Sequence, residues 1–157
     1  MEKNKSIFDV AKYIVEKYDK ISIYKLQKLC YYAFAWHLVW TGEFLFDEDF
    51  YAWNNGVICN ELQAFYEKLQ ELDNRFFYIL KEDFVDLQCN LSNYEKDSIN
   101  KVVDIYGDLN ADSIRQNVLS EEPWKNAYEK YDNNTNTPSV ITKRSIFEYF
   151  ASYCKGD

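Results

Sequence analysis

His37 is the only imidazole in this chain, and it lies inside LCYYAFAWHLVW (29–40), a run with no formally charged side chain. Nucleophilic catalysis of the Ser–His–Asp or Cys–His type needs a base beside its nucleophile and open to substrate. On that run the thiol of Cys30 is two helical turns away, about 10 Å along the axis and beyond hydrogen-bond reach. His37 therefore reads as a core histidine held by one ring nitrogen. Asp47, Glu48 and Asp49 are consecutive carboxylates. A Mg2+ site needs oxygens that converge in space, and adjacent side chains point apart, so this run reads as a solvated turn. Cys30, Cys59, Cys89 and Cys154 form no CxxC pair, and no second histidine exists to complete a zinc site. With 4 glycines there is little material for a phosphate-cradling loop. No catalytic residue, cofactor or metal is expected.

Aromatic side chains suggest a different kind of chemistry. The chain carries 14 tyrosines, 11 phenylalanines and 4 tryptophans in 157 residues. That is too many to hide completely, and exposed aromatic patches usually meet a partner. The formal net charge is −8, which opposes phosphate backbones and anionic lipid surfaces and favours a basic partner. The uncharged run spans about 18 Å as a helix, too short for a bilayer core of about 30 Å. No apolar leader precedes the first amphipathic stretch, so a cytoplasmic location with reduced thiols is expected.

The elements that would position these residues follow from periodicity. Ile7, Val10, Ala11, Ile14, Val15 and Tyr18 form a helical stripe behind an N-capping Ser6. Asp19 and Lys20 mark a turn. The spacing then predicts a helix over 23–41, apolar nearly all round and closed by Gly42, which makes it the central helix of the core. Asn54-Asn55-Gly56 is a turn signal, and one or two short strands are expected around 50–53, paired with one at 76–80. Asn60 is expected to cap a helix bearing Leu62, Phe65, Tyr66 and Leu69. Ser92 and Glu95 form a capping-box pattern for a helix that ends at Gly107. Helices over 111–119 and 121–131 follow, the second capped by Ser120 with Pro123 in its first turn. Residues 132–139 read as a polar loop, and Thr142 opens a last helix carrying Ile146 and Phe150. The expected architecture is mainly α, a single compact multi-helix domain over 1–157 around the central apolar helix, with a small β-hairpin.

These residues also carry a resemblance. Lys25-Leu26-Gln27-Lys28-Leu29, Tyr31-Tyr32, Trp36-His37-Leu38, Thr41-Gly42, Leu45-Phe46, Ala52-Trp53, Gly56 and Glu61-Leu62, followed by Tyr106-Gly107 and Ser120-Glu121-Glu122-Pro123-Trp124, resemble the signature of the Panacea domain family. That family includes phage-associated GepA-type proteins and SocA-type antitoxins, and the resemblance covers nearly the whole chain. It departs at Asn55-Gly56-Val57-Ile58, where relatives commonly read Tyr-Gly-Pro-Val, and at Val118-Leu119, where they carry Thr-His. The resemblance implies an antitoxin-like protein of a toxin–antitoxin or prophage system that neutralises a cognate protein toxin by direct binding. Its alternatives are a proteolytic adaptor that delivers the toxin to a protease, or an acidic inhibitor of a nucleic-acid enzyme. A basic toxin suits the charge, whereas a membrane or nucleic-acid partner does not. The residues expected to meet the partner are Lys25, Gln27 and Lys28 at the polar start of the central helix, Trp53, Asn55 and Gly56 at the turn, and Glu61 and Trp124 beside helix starts.

Overall fold

The structure, a computed structural model, describes residues 5–154. It is mainly α, with seven α-helices and five short strands among the described residues. Helix α1 spans Ile7–Val15, strand β1 Lys20–Ser22, and helix α2 Ile23–Thr41. Strands β2 (Phe50–Trp53) and β3 (Gly56–Ile58) precede helix α3 (Asn60–Leu72) and strand β4 (Tyr78–Leu80). Helices α4 (Asn93–Tyr106), α5 (Ala111–Ser120) and α6 (Glu122–Tyr128), strand β5 (Ser139–Ile141) and helix α7 (Lys143–Ser152) complete the order.

Helix α2 forms over the residues its periodicity marks. Ser22 accepts from the Lys25 amide at its start, and Gly42 ends it in the left-handed conformation, φ 75°. From Leu26 to Ala35 every side chain is buried. Such a helix must be enclosed rather than laid on a surface, and α1, α4, α5 and α7 pack around it together with β3. Rings fill the space between them. Tyr32 stacks on Tyr106 at 4.0 Å, and Phe150 meets Tyr31, Tyr32 and Trp36 edge-on. Each fully buried ring of this kind contributes roughly 1.5–3 kcal/mol.

The other caps follow the same local chemistry. Ser6 with Asp9, and Ser92 with Glu95, form reciprocal capping boxes. Asn110 and Thr142 accept from the third amide of α5 and α7. Two expected caps are corrected. Asn60 is the first residue of α3, whose start is Cys59 without a side-chain cap. Ser120 is the last residue of α5, and its hydroxyl donates to Asn117 O at 2.7 Å; α6 begins at Glu122 and ends at Tyr128 rather than Tyr131.

The sheets also differ from expectation. Strand β2 pairs antiparallel with β3 and with β5, placing Trp53 opposite Gly56 and Phe50 opposite Ile141. Strand β4 pairs instead with β1, Lys20 opposite Leu80. Each of these strands is three or four residues long, too short for period-2 alternation to show which edges meet. The expected loop over 132–139 ends one residue earlier, since Ser139 opens the edge strand β5, and Asp132 bridges Thr137 within it. The acidic run is likewise tied down rather than free. Glu48 accepts from the Ile7 amide at 3.0 Å, and Asp49 pairs with Lys143 at 2.5 Å.

One carboxylate is set against the aromatic core. Glu121 accepts from the Tyr32 hydroxyl at 2.9 Å. Burial raises its pKa from 4.5 to about 7, partly offset by that hydrogen bond. The folded state thus keeps the proton between pH 4.5 and 7 while the unfolded chain releases it. Stability from this group is present at low pH and falls as pH rises through that window, by up to ~3 kcal/mol. Glu121→Gln keeps an acceptor for Tyr32 and removes the ionisation. It is expected to be more stable than the parent by ~1–3 kcal/mol at pH 8, with the gap closing toward pH 4 in urea denaturation. An unchanged gap across that range would refute the assignment.

Candidate functional site

Polar residues at the start of α2 have three different fates. Lys25 is spent on the scaffold: its ammonium donates to Gly107 O at 2.5 Å and lies over the Tyr18 ring. Gly107 is required there, because a Cβ would meet Val103 O at 2.3 Å and Tyr18 Oη at 2.6 Å. Gln27 is also structural. Its buried amide mimics a peptide group, donating to Cys59 O at 3.1 Å and accepting from Cys59 N at 2.9 Å. This pair holds the start of α3 against α2.

Lys28 is different. It is 3% exposed, yet the acceptor its ammonium finds is a carbonyl of its own helix, Tyr24 O at 3.2 Å. No ion pair forms on it among the described residues. Burial, with the Arg115 charge adding to it, pushes its pKa down from 10.5 to about 8. The hairpin turn leaves room for the ammonium. Gly56, at φ 139°, would as any other residue place a Cβ 3.0 Å from Lys28 Cε and 3.4 Å from Nζ. Trp124 locks that turn by donating its indole N–H to Trp53 O at 2.8 Å and Gly56 O at 3.2 Å.

Two adjoining cavities open at this corner. The inner one, about 110 Å3, is lined by Tyr24, Gln27, Lys28, Trp53, Asn55 and Gly56 among others. The outer one, about 270 Å3, shares Tyr24, Lys28 and Asn55 and adds Asp112 and Arg115 from α5. Trp53 contributes a buried indole N–H without a hydrogen-bond partner. Beyond Tyr24, whose ring is 5.4 Å from Phe77, lie exposed Phe76 and Phe77. Both take left-handed backbone angles, φ 50° and 71°, a costly choice for bulky residues. The side chains of Gln70 and Asn74 hold this turn through the amides of Arg75 and Phe76.

Of the expected contact residues, Gln27, Lys28, Trp53, Asn55 and Gly56 converge at this corner. Lys25 and Trp124 are bound into the framework, and Glu61 is exposed on the first turn of α3, accepting from Cys59 Sγ at 3.6 Å. Sequence reasoning missed Tyr24, Arg115 and Asp112. Tyr24 stands one helical turn before Lys28 and was legible from that spacing. Arg115 and Asp112 arrive only through the docking of α5.

His37 lies elsewhere and is sealed, at 0% exposure. Its Nδ1 pairs with Ser98 Oγ at 2.8 Å, Nε2 has no partner, and burial lowers its pKa. Ser98 Oγ also donates to Tyr94 O at 3.4 Å. Among the described residues no group of three His, Cys, Asp or Glu side chains is placed to hold a metal. No helix among them is long and apolar enough to cross a membrane.

In comparisons with known proteins, the model of the antitoxin SocA-like, Panacea domain family matches residues 26–125, from the first turn of α2 to just past Trp124. No curated protein and no solved structure matches the chain.

The two neighbouring residues of α2 are expected to respond oppositely to substitution. Gln27→Ala strands both backbone groups of Cys59 and should lose ~2–4 kcal/mol. Lys28→Met removes a buried charge and should gain ~1–3 kcal/mol at pH 7. Because the folded pKa of Lys28 lies below its unfolded value, that gain shrinks as pH rises from 8 to 10.5. Denaturant titrations across that range check both; a destabilised Lys28→Met would show that the ammonium holds the fold together.

Proposed function

The chain belongs to the SocA-like antitoxin family of Panacea domain proteins, and from that premise we propose that it neutralises a cognate protein toxin by binding it directly. The observation that carries this reading is the corner formed by α2, α5 and the β2–β3 turn. There, donors that the fold does not use lie beside aromatic rings that the fold does not bury. Interfaces of high affinity are built around such anchors: aromatic rings and cations in partly enclosed pockets, ringed by polar groups.

The rest of the chemistry supports binding rather than turnover. His37 has no access to solvent and Cys30 is fully buried, its thiol pushed well up by burial. Neither can meet a substrate. The formal charge of −8 would speed encounter with a basic toxin and discourage nucleic acid. Neutralisation on this reading is non-enzymatic and takes place in the cytoplasm, with the toxin held as a complex.

Co-expression with the product of the neighbouring reading frame tests the reading. Growth should be rescued and the two proteins should co-purify. Asn55→Arg combined with Phe77→Asp should abolish both effects while leaving the melting temperature within a few degrees, since both side chains are exposed. Rescue with loss of toxin protein, restored by removing a protease, would assign the adaptor role instead. A harmless neighbour and no co-purifying protein would end the antitoxin reading.

A further inference from the structure

We propose that the double cavity over Lys28 is a receptor for one acidic side chain, an Asp or Glu carboxylate presented by the partner protein. This rests on the reading of the chain as a toxin-binding protein and specifies which group of the toxin is anchored.

A buried ammonium is costly unless a charge or a set of hydrogen bonds offsets it. Lys28 has three donors and spends one on the Tyr24 carbonyl. Trp53, which also lines the inner cavity, carries a buried indole N–H without a hydrogen-bond partner. Within the described residues the Lys28 ammonium meets only that carbonyl and, at 5.9 Å, the face of the Tyr24 ring, and no anion.

Charge selects the class of acceptor. Lys28 and Arg115 line the outer cavity with one carboxylate, Asp112, which pairs with Arg115 at 3.0 Å. Two cations against one anion leave a single positive charge, which a monoanion neutralises. A phosphate dianion would exceed it and face Asp112 directly. The inner cavity of about 110 Å3 has room for a carboxylate on a short apolar stem, and the stem would lie along Trp53 and Tyr24. The surrounding exposed rings of Phe76 and Phe77 suit a polypeptide rather than a free metabolite. In a chain of net charge −8, this pocket is a local inversion of sign. A basic toxin can be steered by the overall field and then registered by one carboxylate.

The free chain, labelled at lysine Cε, is titrated at pH 7 and constant ionic strength with the tripeptide Ac-Ala-Glu-Ala-NH2. Its Gln counterpart, Ac-Ala-Ala-Ala with a free carboxyl end, and inorganic phosphate serve as the other probes. A saturable shift of the Lys28 signal with the Glu peptide is expected. Binding should be at least tenfold weaker with the Gln peptide and reduced severalfold by Arg115→Gln. Tryptophan fluorescence, in a Trp53→Phe background as control for the other three indoles, follows binding in Lys28→Met, where the response should vanish. Equal binding of the Glu and Gln peptides, or no saturation up to roughly 50 mM, would overturn the proposal. Tighter binding of phosphate, or of the free carboxyl end, would reassign the pocket and likewise overturn it. In the purified complex, carbodiimide should couple Lys28 to an Asp or Glu side chain of the toxin. If no toxin co-purifies, the antitoxin reading falls, while the peptide titration still decides what the pocket holds.

Discussion

Helix α2 carries apolar side chains around its whole circumference, and this requirement for complete enclosure governs the rest of the fold. A helix with one apolar stripe can lie on a surface; one without a polar face has to be surrounded. Helices α1, α4, α5 and α7 are recruited around it for that reason. Their amphipathic stripes, from Ile7 to Val15 on α1 and through Ile99 and Val102 on α4, face inward to do so. The aromatic rings that resemble an interface in the sequence are in large part the filling of this enclosure. Tyr31, Tyr32, Phe34, Phe46, Phe50, Phe84 and Phe150 are essentially inaccessible.

Enclosure has a cost for every polar group that α2 carries inside. Gln27 meets it by adopting the hydrogen-bonding pattern of a peptide group against Cys59. His37 meets it by staying neutral and pairing with Ser98. Tyr32 gives its hydroxyl to Glu121, which in turn holds a proton up to about pH 7. Lys28 departs from this pattern. Its ammonium is buried without an ion pair, feels the Arg115 charge, and lines a cavity that Arg115 and Asp112 share. Tyr31 Oη and His37 Nε2 are also buried on α2 without a hydrogen-bond partner, so what sets Lys28 apart is its charge and the two cavities it lines.

The turn that frames Lys28 links the two ends of the family match. Trp124 from α6 reaches across to the carbonyls of Trp53 and Gly56, so the stretch ending in Pro123-Trp124 serves the hairpin rather than a separate site. Phe76 and Phe77 extend the same surface from the opposite side in strained backbone conformations. Such strain persists only where surrounding contacts over-determine it, and here Gln70, Asn74 and the Arg75–Asp83 ion pair do so.

Local chemistry marked most helices, though not the caps of α3 and α6. The ends of α2 at Ile23 and Thr41, the N-cap at Ser6, the capping box at Ser92 and Thr142 at the start of α7 were legible because caps and periodicity act within a few residues. The burial of His37 followed from its neighbours on the same helix. Strand partners were not legible. Lys20-Ile21-Ser22 pairs with Tyr78-Ile79-Leu80, and Phe50–Trp53 with residues 139–141, through backbone hydrogen bonds that carry no sequence code at this length. The candidate site divides along the same line. Lys28, Asn55 and Gly56 announce a polar corner by residue type. Whether Lys28 is solvated or sealed, and that Arg115 and Asp112 share its cavity, is decided by how α5 docks on α2, since charge and burial depend on distances that only the packed chain sets.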